Sequence, residues 1–295
     1  MTAAWVAGTT RARSLARRCA GPDVAREVAS SPTLEGALAR LDATPYRRGV
    51  RPGQPLLEAQ HALVGTLLWQ IRVLAGWQPG TGTAALRALA GWFEIANVDA
   101  LLSGGPFFEL GTMATAWSDL RNAPDLRRAL SASPWGDPGG DDARSIQLGM
   151  RMRWARRVAA ISPDTRFWSA GALALLIARE RFAEERPLPE PPSDLIGRRT
   201  AGAGDLTEFG RRLPDHAAWA LRGTETPACL WAAETRWWSR LERDGRALLS
   251  GARLDLGPVL GAVAVLAVDV RRVRAALELA SRGGHPLEAF DAVLA

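Results

Sequence analysis

The chain has 295 residues, of which 47 % are hydrophobic and 23 % are charged, and it carries a formal net charge of +6. This length and composition allow a sizeable core and exclude a disordered, collagen-like or disulfide-stapled chain. All 37 basic residues are arginines, since the sequence contains no lysine. A Walker A phosphate loop, a lysine Schiff base and a kinase-type phosphate-binding lysine are therefore excluded.

Abundant Ala, Leu and Arg, with few Ile and one Tyr, predict helix nearly throughout and no strand. Helix starts are predicted at Ser31-Pro32, Ser162-Pro163 and Thr226-Pro227, because each pair combines a capping side chain with a proline suited to the first turn. The Pro-rich run 187–192 is the clearest linker. The predicted helices cover about 11–20, 22–30, 32–42, 55–76, 83–103, 107–120, 124–131, 142–160, 163–186, 205–222, 227–250, 258–282 and 286–294.

Three predicted helices contain long stretches without a charge: Ala59–Ile71, Phe167–Ala178 and Leu256–Val268. A helix without a polar face is expected to be buried between others. The last stretch contains Gly and Pro and is too short to span a bilayer, so no transmembrane span is expected.

No group of residues has the spacing of a known catalytic or metal site. The two cysteines and three histidines are isolated, which argues against zinc, haem and redox motifs. The acidic pair Asp141-Asp142 is interpreted as a helix cap, and Glu180 with Glu184 as part of a solvated, arginine-laced face. No catalytic, cofactor-binding or metal-binding residue is predicted, although a triad assembled from distant segments is left open.

Twelve tryptophans accompany a single tyrosine, and several lie among arginines. Trp154 and the pair Trp237-Trp238 are the clearest cases. Tryptophan and arginine are enriched at protein interfaces, but they also fill gaps between helices. Both interpretations stay open here, and stacking on single-stranded nucleic acid is a third.

One pattern occurs twice. An acidic residue is followed by Val four positions later and by Leu four positions after that, which places all three on one helical stripe. Chance similarity between Ala/Leu/Arg-rich helices is the alternative explanation. The residues expected to organise the repeats structurally are Glu94, Asn97, Val98 and Leu102 in one copy, and Asp269, Arg272, Val273 and Leu277 in the other.

Three stretches, in chain order, carry a resemblance to a known family. The first is the N-terminal block with 11–15, 32–38 and the Tyr-containing 44–46. The second is Phe93–Leu102, an acidic-x-x-Asn-apolar-x-x-Leu-Leu helix. The third combines 258–262 with Asp269–Leu277 and the glycine stop at Gly283. Together they resemble the central-stalk C/d family of V/A-type rotary ATPases, which is the C component of the prokaryotic enzymes and the d component of the eukaryotic ones.

The resemblance implies a single all-α domain over residues 1–295, shaped as a funnel with pseudo-threefold repeats at about 1–105, 106–190 and 191–295. It implies a non-catalytic socket, without a cofactor, that links the rotor shaft subunits to the membrane rotor ring during ATP-driven or ATP-forming ion transport. The protein would be cytoplasmic, would reach the membrane only through its complex, and would not bind nucleic acid. The alternatives are an arginine-rich helical nucleic-acid-binding protein and a helical enzyme with a site assembled across helices.

Overall fold

The computed structural model describes residues 3–294, and within this range the chain forms helices and loops without a strand. The predicted all-α class is confirmed. Within the same range no helix combines the length and apolar character needed to cross a bilayer. The α-helices are α1 (Ala3–Ala16), α2 (Gly21–Ala29), α3 (Leu34–Arg40), α4 (Leu56–Ala75), α5 (Gly80–Ser103), α6 (Trp117–Leu120), α7 (Leu126–Ala132), α8 (Ala143–Ala159), α9 (Pro163–Ala178), α10 (Ser193–Ile196), α11 (Leu206–Arg212), α12 (Asp215–Ala218), α13 (Leu230–Ser250), α14 (Leu256–Ala280) and α15 (Leu287–Leu294).

The chain packs into two compact units. The first contains residues 1–86 and 238–295, and the second contains residues 87–237. Helices α5 and α13 therefore contribute residues to both units. The pseudo-threefold repetition stays a prediction.

Helix α14 is the centre of the first unit and packs against α1, α2 and α4. It begins at Leu256, where the Asp255 carboxylate accepts a hydrogen bond from the backbone N–H of Gly257 at 2.9 Å. The uncharged stretch 256–268 that follows is buried almost throughout, as predicted. Helices α13 and α14 approach closely at Gly245 and Gly261, where a Cβ on Gly261 would lie 2.5 Å from the Gly245 carbonyl oxygen. Glycine is required at this crossing because no side chain fits.

The second unit is built around α9, which packs against α8, α10 and α12. The predicted start of α9 is confirmed: the Ser162 hydroxyl accepts a bond from the N–H of Thr165, and the Thr165 hydroxyl accepts one from the N–H of Ser162. This reciprocal pair is a capping box. The helix then continues beyond Ala178 as one π-helical turn, Arg179–Ala183, so its regular part ends earlier than predicted. The apolar stretch 167–178 is mostly buried, with Leu173 and Ile177 in the core.

The predicted helix over 107–120 is wrong. This segment contains only a 3-10 turn at Gly111–Met113 and the single turn α6. Side chains of α5 satisfy the backbone groups that a helix would have paired internally: Asn97 bonds the backbone of Phe108, and Glu94 bonds the N–H groups of Thr115 and Ala116. Backbone groups that form hydrogen bonds with these side chains are satisfied without the internal hydrogen bonds of a helix.

The predicted helix over 205–222 is also wrong, because it breaks between α11 and α12. Pro214 has no N–H and excludes helical geometry at the preceding residue, and Leu213 is accordingly extended, with ψ of 143°. Two predicted caps differ as well. Thr33 caps α3 in place of Ser31, and Thr226 precedes a 3-10 turn without capping it through its side chain.

Candidate functional site

Glu94 lies near the middle of α5 and is completely buried. One carboxylate oxygen accepts from the N–H of Thr115 at 2.6 Å. The other accepts from the N–H of Ala116 at 2.8 Å and from the indole N–H of Trp135 at 2.8 Å. We call these four residues the Glu94 clamp. A buried carboxylate needs such donors to offset the loss of its hydration.

Asn97, one turn further along α5, extends the same attachment. Its amide oxygen accepts from the N–H of Phe108 at 2.6 Å, and its amide nitrogen donates to the carbonyl of Phe108 at 2.9 Å. Glu94 and Asn97 together hold the irregular segment 108–116 against α5. The acidic-x-x-Asn spacing works because residues three apart share one face of a helix.

Asp269 occupies the middle of α14 and is 2 % exposed. One oxygen accepts from the N–H of Gly21 at 2.8 Å. The other accepts from the N–H of Ala20 at 2.9 Å and from the hydroxyl of Tyr46 at 2.7 Å. These four residues are the Asp269 clamp. Burial, reinforced by the negative charge of Asp269, raises the pKa of the Tyr46 phenol well above its usual value, so the phenol stays protonated and donates.

The two clamps have the same construction. Each places a buried carboxylate on a long helix and pairs it with the N–H groups of two consecutive residues and with one aromatic donor. Glu94 and Asp269 are the two acidic residues that the sequence pattern aligns. The pattern therefore marks positions with a common structural task, in one unit each.

The aligned partners Asn97 and Arg272 do different work. Arg272 is buried and donates to the carboxylate of Glu242 at 2.7 Å, and Arg246 donates to the same carboxylate at 2.6 Å. Burial by itself would raise the pKa of Glu242. The hydrogen bonds and positive charges of these two guanidinium groups have the larger effect and lower the pKa below its ordinary value. Arg272 thus joins α14 to α13, whereas Asn97 joins α5 to a loop.

The apolar members of the pattern lie mostly in the core. Val98, Val273 and Leu277 are fully buried, and Leu102 is half-buried. Their burial agrees with a stripe that faces neighbouring helices. A role for the eight residues in organising repeats stays a prediction.

An arginine stands beside the Glu94 clamp. The guanidinium of Arg157 lies 4.8 Å from the ring centre of Trp135 and donates to the hydroxyl of Thr115 at 3.4 Å. Burial lowers the pKa of Arg157, and the negative charge of Glu94 opposes this effect.

Near the Asp269 clamp, burial and then Asp269 raise the pKa of Cys19 to about 11, which keeps this thiol neutral and unreactive at physiological pH.

Two of the tryptophans that stand among arginines have structural hydrogen bonds. The indole of Trp154 donates to the carbonyl of Ala88 at 2.9 Å, and the indole of Trp237 donates to the carbonyl of Trp168 at 3.0 Å. Both rings are half-buried, which favours the packing interpretation for these two. The exposed tryptophans are Trp77, Trp92 and Trp231.

The predicted cap is confirmed for Asp142 but not for Asp141, which pairs with Arg127 at 3.6 Å, and the predicted solvated face does not include Glu180, whose side chain is only 14 % exposed. The Asp142 carboxylate caps α8 by accepting from the N–H of Ser145 at 3.0 Å. Glu180 pairs with Arg144, and Glu184 pairs with Arg186 at 3.1 Å.

Several residues of these networks were not predicted as site residues, and Tyr46, Trp135 and Glu242 are the ones whose side chains bond directly to a predicted residue. They lie 223, 41 and 30 positions from their partners in the chain, and no local spacing relates them. The available signal was indirect. An acidic residue inside an apolar helical stripe requires donors, and buried aromatic N–H or O–H groups are natural candidates.

Within residues 3–294, no three His, Cys, Asp or Glu side chains gather where they could hold a metal ion. Comparison with known proteins finds no matching family model and no matching curated protein. The resemblance to the rotary ATPase family therefore rests on the sequence motifs alone.

Proposed function

We propose that this chain is a non-catalytic coupling subunit of a V/A-type rotary ATPase. In this role it is the socket that joins the central rotor shaft to the membrane rotor ring and passes torque between them. Support comes from the motifs that resemble the central-stalk C/d family, in particular Phe93–Leu102 and Asp269–Leu277, and from the all-α fold.

The observation that carries the proposal is the equivalence of the two clamps. Each of the two carboxylates in the sequence pattern, Glu94 and Asp269, accepts two hydrogen bonds from backbone N–H groups and one from an aromatic side chain. All three bonds of each carboxylate therefore attach other segments to the long helix that carries it. Charge-assisted hydrogen bonds in a buried environment are strong and geometrically specific. A part that transmits torque needs such attachments, because its segments must resist shear without sliding.

The proposal is tested by co-expressing the chain with the rotor shaft subunits and the ring of the same organism's rotary ATPase. We expect the chain to co-purify with the shaft at a fixed ratio through affinity and size-exclusion steps. Omitting the chain should leave the shaft and ring unable to associate. Failure of the folded chain to bind either the shaft or the ring would overturn the proposal.

The competing nucleic-acid function has a distinct signature. Phosphate binding by arginines weakens steeply as salt rises, because condensed counterions are released on binding. Strong, salt-dependent retention of nucleic acid on a filter, without binding to the shaft, would replace the coupling proposal.

A further inference from the structure

The exposed face of α1 carries a concentration of positive charge. Residues 3–22 contain four arginines and no acidic residue. The rest of the chain then has 33 arginines against 31 acidic residues. Most of the net charge of +6 therefore belongs to one helix and its C-terminal extension.

Part of this face forms an open cleft of about 340 Å³, lined by Thr10, Arg13, Ser14, Arg17 and Arg18. All five residues follow one side of the helix or its immediate end, over about 12 Å at the helical rise. The lining contains cationic and hydroxyl groups and no carboxylate, so it is complementary to an anionic partner.

Arg13 is fixed in place within this cleft. Its guanidinium donates to the carbonyls of Leu249 at 3.1 Å, Gly251 at 2.5 Å and Arg253 at 3.1 Å. These are neutral acceptors, so its charge is not cancelled. Arg17 and Arg18 are exposed, and neither forms an ion pair in the part of the chain that the structure describes.

We infer that the cationic face of α1 binds an acidic helical segment of a protein partner. Arg17 and Arg18 have guanidinium groups that are not engaged with other side chains of the described residues, whereas Arg13, with three of its donors on backbone carbonyls, contributes its positive charge. Arg13 and Arg17 are four residues apart, about 6 Å along the axis, which matches carboxylates spaced by one turn on a second helix. Arginine pairs well with carboxylates because its planar fork donates two parallel bonds. The assignment of this segment to the rotor shaft rests on the proposed function.

Two other anionic partners fit the observations less well. A membrane-surface helix needs large apolar side chains beside its arginines, whereas this cleft is lined by threonine, serine and arginine. A nucleic acid needs basic contacts along an extended path, whereas charges outside residues 3–22 nearly balance.

The test measures, by fluorescence anisotropy, the binding of the full chain to a synthetic helical peptide with glutamate at every fourth position. The variant Arg17→Glu/Arg18→Glu is compared with Arg211→Glu/Arg243→Glu, which reverses one exposed arginine on α11 and one on α13 and changes the net charge equally. We expect the α1 variant to weaken binding about tenfold, because attraction becomes repulsion, and the control variant to retain binding within about twofold.

Vesicles containing 30 % phosphatidylserine and a 20-nucleotide single-stranded DNA are titrated in parallel. Equal effects of the two variants on the peptide, or no effect, would overturn the inference. A selective loss for vesicles or DNA in place of the peptide would also overturn it. Selective peptide binding without co-purification of the rotor shaft would refute the proposed function alone, whereas co-purification unchanged by Arg17→Glu/Arg18→Glu would refute the assignment to the shaft.

Discussion

The hydroxyl of Tyr46 donates a 2.7 Å hydrogen bond to the carboxylate of Asp269, although 223 positions separate them in the chain. Asp269 also receives the N–H groups of Ala20 and Gly21. One carboxylate on α14 thereby holds two N-terminal segments against a C-terminal helix. Glu94 attaches two segments to α5 in a similar way.

Replacing Tyr46 by Phe should destabilise the protein by about 1–3 kcal/mol, because a buried carboxylate loses one of its three donors. Urea unfolding monitored by circular dichroism measures this change. A double-mutant cycle with Asp269→Asn supplies the control, since the interaction belongs to this pair. If the two substitutions are simply additive, the bond contributes nothing to stability.

Ultraviolet titration at 295 nm should find no tyrosinate in the folded protein near pH 10. The chain has one tyrosine, so the signal reports Tyr46 alone. Its pKa in the folded state lies above the unfolded value of 10.0, mainly because of burial. The protonated Tyr46 phenol therefore contributes to the free energy of unfolding. This contribution is fully present below pH 10 and is lost as the pH rises through the folded-state pKa. Tyrosinate should appear at pH 10 only after unfolding in guanidinium; ionisation with the native circular dichroism spectrum intact would contradict this prediction.

Glu94→Gln should destabilise the protein by about 2–4 kcal/mol. An amide offers one acceptor oxygen, so its NH2 group faces one of the donors that the carboxylate now satisfies. Glu225→Gln is the matched control, because Glu225 is exposed and should change stability by less than about 0.5 kcal/mol. Equal midpoints of urea unfolding for the two variants would show that the Glu94 clamp carries no structural load.

Two Gly→Ala substitutions in long helices should have opposite signs. At Gly261 the new methyl group would overlap the Gly245 carbonyl, and we expect a loss of about 1–3 kcal/mol. At Gly65, inside α4, no atom lies within 4 Å of the new Cβ, and we expect a gain of about 0.5–1 kcal/mol from the better helix propensity of Ala. Thermal unfolding of both variants tests the close crossing of α13 and α14, and a stabilised Gly261→Ala protein would rule it out.

Stability should fall below pH 4.5 partly through Glu242. Its pKa is lower in the folded state than the ordinary value of 4.5, since Arg246 and Arg272 donate to it. The contribution of ionised Glu242 to the free energy of unfolding is fully present above the unfolded-state pKa and is lost as the pH falls through the folded-state pKa. Glu242→Gln should therefore flatten the acid limb of a stability–pH curve measured by urea unfolding between pH 7 and 3, and Glu225→Gln should leave that limb unchanged.

Local features were predictable where the information is local. The helix start at Ser162-Pro163 and the burial of residues 256–268 both depend on residues within a few turns of each other. The failures at 107–120 and 205–222 had different causes. At 205–222 the helical pattern of the sequence was given more weight than Pro214, although this proline was a local sign of a break. Residues 107–120 are not helical because side chains on α5, well before them in the chain, bond to their backbone.

The candidate site divides in the same way. Helical periodicity identified Glu94 and Asp269 as equivalent positions, since acid, valine and leucine at four-residue spacing must share a face. It could not identify Trp135 or Tyr46, because those donors reach the carboxylates only through the fold.

The sequence by itself determined the helical class, the most deeply apolar helix and the positions of the two acidic residues, because helix formation and amphipathicity depend on neighbours three and four residues apart. Only the tertiary structure decided how those residues are used. A buried carboxylate is stable wherever enough donors meet it, and many segments of a chain can supply them. The choice of Ala20, Gly21 and Tyr46 for Asp269 follows from the packing of the whole first unit.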